Sequence, residues 1–192
     1  MTPELQARRS DPRYQRLMEV TREAASGGYE HVSIRAIARA AQMSMTTIYQ
    51  YCRSKDHLIA EAHLDWMEQF SESLVARPPR GRSAKARVLA VIDAITESWV
   101  DEHVAATTLM RSIYALDPGV RDVRSLSGEI HRRIMDVALG DGEIRRRAEL
   151  IEVIGHLLNS VTYGWVVGSY SPEDGRRTLR RDIGALIDAF SP

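Results

Sequence analysis

An all-α protein is predicted from three observations. Apolar residues recur at helical spacing along most of the chain, Ser- and Asp-headed cap sequences punctuate it, and neither an alternating strand pattern nor a hairpin turn interrupts it. The expected architecture is an N-terminal three-helix helix-turn-helix domain, residues 10–56, joined by a long fourth helix to a C-terminal helical bundle within 57–192.

Cap chemistry marks each start: a Ser or Asp oxygen accepts from free backbone N–H groups, and proline is tolerated in the first turn. Ser10-Asp11-Pro12 opens a helix to about Gly27, Ser33 a short one to about Ala41, and Ser44 another to Tyr51. Ser54-Lys55-Asp56 begins a long helix to about Val75, with Leu58, Ala62, Trp66, Phe70 and Leu74 at i+4 spacing as one buried stripe. Arg77-Pro78-Pro79-Arg80-Gly81-Arg82 reads as a loop. Ser83 restarts helix, with Val88, Ile92, Ile95 and Trp99 on one face, and a further helix covers roughly Val104 to Ala115. Asp117-Pro118 caps the next, which ends at Gly140-Asp141-Gly142. An apolar helix follows from about Glu143 to Tyr170, and Ser171-Pro172 opens the last.

With 192 residues, 44% of them hydrophobic, the chain can bury a substantial core. No signal peptide and no apolar run of spanning length is visible, so a cytoplasmic location is expected. The single cysteine, Cys52, excludes a disulfide framework within the chain. The formal net charge is zero, but residues 1–60 hold nine basic and six acidic side chains, leaving the remainder acidic. A positive end on a neutral protein suits a phosphate-contacting surface, although ordinary charge scatter gives the same count.

The informative stretch is Ser33 to Tyr51. A helix-turn-helix needs a small residue where its helices cross, a tight turn, and apolar anchors on both sides. Ala38 serves as the crossing residue, Gln42-Met43 as the turn, and Ile34, Ile37, Met43 and Ile48 as anchors. Met45, Thr46, Thr47 and Gln50 are then expected to face outward and enter the major groove, where glutamine can bond an adenine edge. The hydroxyls of Ser33, Ser44 and Tyr49, with Lys55, suit phosphate contacts. Spacing alone leaves open that all of these are surface residues of an ordinary bundle.

The run Thr47-Ile48-Tyr49-Gln50-Tyr51-Cys52-Arg53-Ser54-Lys55-Asp56-His57-Leu58, preceded by Ile37-Ala38 and Ala41-Gln42-Met43-Ser44, resembles the signature of the tetracycline-repressor (TetR) family. The resemblance covers about residues 12–60. It implies a homodimeric transcriptional regulator, most members being repressors, whose paired helix-turn-helix units bind a pseudo-palindromic double-stranded DNA operator. Release follows when a ligand enters the C-terminal domain, so 57–192 is expected to bind ligand and dimerise. By position, Arg35 corresponds to a DNA contact from the second helix, Tyr49 and Lys55 to a phosphate-clamping pair, and Tyr51 to packing. Two residues depart from the family pattern. Cys52 replaces an aromatic residue, and Gln42 replaces a turn glycine, which predicts a non-glycine residue at positive φ at a cost of about 1 kcal/mol. Arg8 and Arg9, ahead of the first helix, suit either a minor-groove arm or, the favoured reading, a disordered tail.

Dimerisation in this family usually employs the last two helices. Here the penultimate one contains Gly155, Gly164 and Gly168, which suggests close helix approach. Arg176, Arg177, Arg180 and Arg181 decorate the polar face of the last helix. A ligand pocket is expected to use Trp99, Leu109, Met110, Ile113 and Tyr114, with His156, Asn159 and Tyr163 as an orienting polar edge on one helical face. The same three residues also suit satisfied core or interface positions. A further resemblance, of Asp101 to Ala115 and Tyr163-Gly164-Trp165 to sterol-catabolism regulators of this family, implies a small apolar effector such as a sterol or acyl-CoA-like metabolite.

Two rival readings compete with this one. A metal-dependent enzyme needs paired Glu and Glu-x-x-His motifs, and only Glu152 and His156 stand at a usable spacing. No catalytic residue, metal or other cofactor is therefore expected. A regulator of the same fold that answers to a protein partner instead of a small molecule is the second rival.

Overall fold

Each predicted cap sequence heads a helix in the computed structural model, which describes residues 9–192 except for the side chain of Ser98. Nine α-helices lie among the described residues: α1 Pro12–Ala25, α2 Ile34–Ala40, α3 Met45–Tyr51, α4 Lys55–Ala76, α5 Ala84–Asp101, α6 His103–Ile113, α7 Val120–Leu139, α8 Arg147–Val166 and α9 Pro172–Phe190. A single 3-10 turn, Tyr29–His31, separates α1 from α2. No strand occurs among the described residues.

The cap atoms are where the sequence places them. Asp11 accepts from the Arg13 N–H at 2.8 Å, Ser33 from Ala36 at 3.4 Å and Ser44 from Thr47 at 3.0 Å. Ser54 accepts from His57, Ser83 from Ala86 and Ser171 from Asp174. Each bond satisfies one of the orphan donors that every helix start leaves.

The chain divides into two compact units, and the division does not fall at residue 56. Among the described residues, unit 1 comprises those up to Met67 together with Val104–Ser127, and unit 2 comprises Glu68–His103 and Gly128–Pro192. Packing thus assigns α6 to the same unit as the helix-turn-helix.

Within unit 1 the core is built from Tyr14, Leu17 and Met18 of α1, Ile37 of α2, Ile48 of α3 and Leu58 of α4. The single stripe expected on α4 is corrected here. Leu58 to Leu64 are buried on every side of the helix, including Glu61 and His63, whereas Trp66, Phe70 and Leu74 are only half-buried. Residues at strict i+4 spacing drift by about 40° per step around a helix of 3.6 residues per turn, so five of them do not share one face.

In unit 2, α9 packs along α5 and α8. Asp93 of α5 pairs with Arg176 and Arg180 of α9, and Lys85 reaches Asp188 at 2.5 Å. Arg177 pairs with Asp174 and Arg181 with Asp182. The three α8-region glycines have separate causes. A Cβ at Gly155 would stand 3.2 Å from the His131 ring of α7, and one at Gly164 would stand 2.4 Å from the Tyr170 ring. Gly168 takes φ 77° just past the end of α8. The glycine at the α8–α9 contact is Gly175, whose missing Cβ makes room for Val161.

Candidate nucleic-acid interface

The turn between α2 and α3 shows how this sequence builds the site. Ala38, small and buried, accepts at its carbonyl from the Met43 N–H at 2.9 Å, and the Gln42 N–H donates to the Arg39 carbonyl at 3.1 Å. Those two bonds are a Schellman closure, which requires a left-handed residue between them. Gln42 occupies it at φ 56°, as the missing glycine predicts.

Helix α3 then divides by face. Ile48 is fully buried and Cys52, at the C-cap, is buried with its thiol donating to the Ile48 carbonyl at 3.5 Å. Thr46, Tyr49 and Gln50 stand at i, i+3 and i+4 on the opposite, exposed face, Tyr49 at 53% exposure. Met45 departs from the expectation that it faces outward: it stands three residues before Ile48 and packs its side chain against the same core. Thr47 is half-buried, and its hydroxyl and that of Ser44 lie 2.8 Å apart. Ser33 and Arg35 are exposed at the start of α2. Tyr51 is half-buried, donating its hydroxyl to Asp11 at 2.9 Å with its ring 5.9 Å from Tyr14. The Arg13 N–H and that hydroxyl hold the Asp11 carboxyl below its ordinary range.

A buried polar network, not foreseen from sequence, pins α1 to α4. The Tyr14 hydroxyl donates to Glu61 at 2.8 Å, and burial together with the Glu61 charge pushes that phenol upward. His57 Nδ1 accepts from the Arg53 N–H at 3.1 Å, so Nε2 faces Glu61 at 3.3 Å as a donor. Arg22 meets Asp65 at 2.5 Å, and Gln15 donates to Asp65 at 3.2 Å. Arg9 belongs to this network and not to an arm: it is 6% exposed, with its guanidinium 3.8 Å from Glu61. Arg8 lies outside the described residues. The sequence signal for the network is two carboxylates, Glu61 and Asp65, inside a run that is otherwise apolar but for His63.

Lys55, at the first position of α4, is half-buried, with Nζ 3.9 Å from the Tyr29 ring centroid. Sequence reasoning did not single out Tyr29.

The residues expected to line a pocket fall in both units. In unit 1, Leu109 packs against the helix-turn-helix core and Met110 is buried, while Ile113 and Tyr114 are half-buried, burial pushing the Tyr114 phenol up to about 12. In unit 2, Trp99 is half-buried and stacks on Trp165 with ring centroids 5.6 Å apart. His156, Asn159 and Tyr163 share one face of α8 as expected, and that face is exposed in the single chain. An open cleft of about 590 Å³ in unit 2 lies elsewhere, lined by polar residues including Arg82, Arg87, Asp141 and Glu143. Arg87 is occupied there in capping α7, donating to the carbonyls of Ala138 and Leu139. No helix among the described residues is long and apolar enough to cross a membrane.

Comparison with known proteins agrees with this geometry. Residues 17–62 match the family described as bacterial regulatory proteins, tetR family. The HTH-type transcriptional repressor KstR of Rhodococcus jostii is 25% identical over 177 residues, covering 91% of this chain and 82% of that protein. A TetR transcriptional regulator from Rhodococcus sp. RHA1 has a similar fold, with a TM-score of 0.78, 21% identity, and 92% and 96% of the two chains covered. The FadR regulator of Bacillus subtilis, solved in complex with stearoyl-CoA, aligns with a TM-score of 0.60 and 17% identity over 91% of this chain and 97% of its own.

Proposed function

We propose that this chain, whose residues 17–62 match the tetR family of bacterial regulatory proteins, is a TetR-family transcriptional regulator: a cytoplasmic repressor that binds a pseudo-palindromic operator as a homodimer and is released by a mostly apolar small molecule. The observation that carries the DNA-binding assignment is the exposed face of α3, where Thr46, Tyr49 and Gln50 stand together beyond an anchored core face. Thr46 and Gln50 are the base-reading residues. Arg35, Tyr49 and Lys55 hold phosphates, as do Ser33 and Ser44, whose hydroxyls cap α2 and α3. Thr47 supports Ser44, and Met45 is assigned to packing.

Homodimerisation through α8 and α9 is favoured by the exposed aromatic and apolar side chains at the end of α8, Tyr163, Val167 and Tyr170. His156 and Asn159 are assigned to this surface together with Tyr163. For the effector, the candidates in unit 1 are Met110 and Ile113 on α6 with Tyr114 just beyond it, and the candidate in unit 2 is Trp99 on α5. An acyl-CoA or sterol-like thioester is the class to screen first, since FadR was solved with stearoyl-CoA and the chain resembles regulators of sterol catabolism.

Operator selection from genomic fragments with the purified protein tests the assignment. Gln50→Ala and Thr46→Ala are expected to change which sequences are recovered, each lost base contact costing about 1–3 kcal/mol. Tyr49→Phe is expected to weaken all sequences alike. Selection profiles of the Gln50 and Thr46 variants identical to the parent's would defeat the recognition assignment. Sedimentation as a monomer at micromolar concentration would defeat the dimer. A thermal-shift series with stearoyl-CoA and sterol thioesters tests the effector class, because a ligand of the folded state raises the melting temperature.

A further inference from the structure

Tyr29 lies in the short 3-10 turn between α1 and α2. Two cations share its ring: Lys55 Nζ at 3.9 Å and the Arg111 guanidinium carbon at 3.8 Å from the centroid. Burial and the neighbouring Asp56 carboxylate push the Tyr29 phenol upward, and Asp56 accepts the Ser112 hydroxyl at 3.1 Å. Arg111 pairs with Glu30, the neighbour of Tyr29, at 3.3 Å. Two consecutive residues at the end of α6 thus converge on the first turn of α4 and on the turn before α2, all within unit 1.

A lysine side chain carries about 2 kcal/mol of rotamer entropy, which a phosphate contact made from free solution must overcome. A ring that already holds the ammonium at one place removes part of that cost. An ammonium over a π face keeps N–H groups free for a second partner. The Arg111 guanidinium packs on the same ring and is itself paired with Glu30, so it fixes where the ring stands.

We propose that Tyr29 and Arg111 are positioning residues for the Lys55 phosphate contact, Tyr29 by holding the ammonium in place and Arg111 by holding the ring that does so. The proposal rests on the reading of Lys55 as a phosphate contact. It makes the end of α6, helix of the candidate effector residues Met110 and Ile113, a second determinant of DNA affinity without itself touching DNA.

The test is the affinity of the full-length protein for a random-sequence DNA duplex across a salt series, with thermal melts establishing that each variant is folded. Lys55→Ala is expected to reduce the slope of log affinity against log salt by about one, the loss of one phosphate. Tyr29→Leu is expected to weaken binding about 2- to 5-fold. Tyr29→Phe, which keeps the ring, is expected to bind like the parent. The double variant Tyr29→Leu/Lys55→Ala is expected to bind no more weakly than Lys55→Ala. Arg111→Met, the variant to rely on if Tyr29→Leu does not fold, is expected to weaken binding when Lys55 is present and to have no effect when it is alanine. Parent-like binding by Tyr29→Leu, or Tyr29 and Arg111 effects of equal size with and without Lys55, overturns the positioning role alone. An unchanged salt slope in Lys55→Ala overturns the phosphate reading itself, and the positioning role with it.

Discussion

Replacing Gln42 with glycine is expected to stabilise the protein by about 0.5–1 kcal/mol. Gln42 holds φ 56° between the two hydrogen bonds that close the α2–α3 turn, with its side chain exposed. A non-glycine residue in the left-handed region costs roughly 1–2 kcal/mol, which glycine does not incur. Glycine returns about 0.5–1 kcal/mol of that by freeing the unfolded chain, and the difference is the expected gain. Urea unfolding at one fixed protein concentration measures it, so that self-association contributes equally to both proteins. For a chain of this size the gain corresponds to a rise in Tm of about 1–4 °C. Gln42→Ala serves as the control, because it keeps the left-handed penalty and gains nothing from it. Glycine and alanine variants of equal stability, or a glycine variant less stable than the parent, would refute the assignment of strain to this turn. DNA affinity is expected to stay unchanged in the glycine variant, since the Met43 to Ala38 bond that orients α3 is retained.

His63 is buried in α4, its ring stacked 5.9 Å from that of Trp66, and burial lowers its pKa from 6.5 to about 4. Between those values the unfolded chain binds a proton that the folded chain excludes, so stability is complete above about pH 6.5 and declines as pH falls toward 4, by roughly 3 kcal/mol in all. His63→Phe is expected to remove that part of the acid sensitivity, and a parallel pH–stability curve for this variant would contradict it. Tyr14→Phe deletes the donor that Glu61 receives at 2.8 Å inside the unit 1 core, and a loss of about 1–3 kcal/mol in urea unfolding is expected. A loss below about 0.5 kcal/mol would show that Glu61 does not depend on this bond.

The helices were legible because their starts are local chemistry. Asp11, Ser33, Ser44, Ser54, Ser83 and Ser171 each accept from a backbone N–H two or three residues on, a relation contained within four residues of sequence. The left-handed turn residue was legible for the same reason: a tight helix-turn-helix demands positive φ there, whatever residue fills it. Met45 was misjudged because period alone does not say which of two adjacent faces meets the core. Ile48 decides it, since Met45 stands three residues before it and Thr46, Tyr49 and Gln50 do not share that face. Contacts such as Tyr14 with Glu61, Arg22 with Asp65 and Tyr29 with Arg111 join residues 43 to 82 positions apart, and no local pattern announces them. The α8 glycines illustrate the same limit: small residues mark close approach without naming what approaches, and here it was the His131 and Tyr170 rings.

The buried carboxylates of α4 bear on how the proposed DNA contacts are aimed. An apolar interface between α1 and α4 would tolerate small slides and rotations, because dispersion and burial are nearly indifferent to them. Glu61 and Asp65 are not indifferent. One turn apart on α4, they meet Tyr14, Gln15 and Arg22 of α1, and a displacement of one residue would strand both charges away from water. Replacing the whole network by matched apolar residues would therefore preserve stability while relaxing register, whereas removing one partner would be strongly destabilising. Register matters here because Lys55 lies six residues before Glu61 on the same helix, while α1 is packed on the helix-turn-helix through Tyr14, Leu17 and Met18. The polar network thus fixes where Lys55, the proposed phosphate contact, emerges relative to the exposed face of α3. Charged residues have a reason to persist in this core even where apolar ones would hold it as firmly.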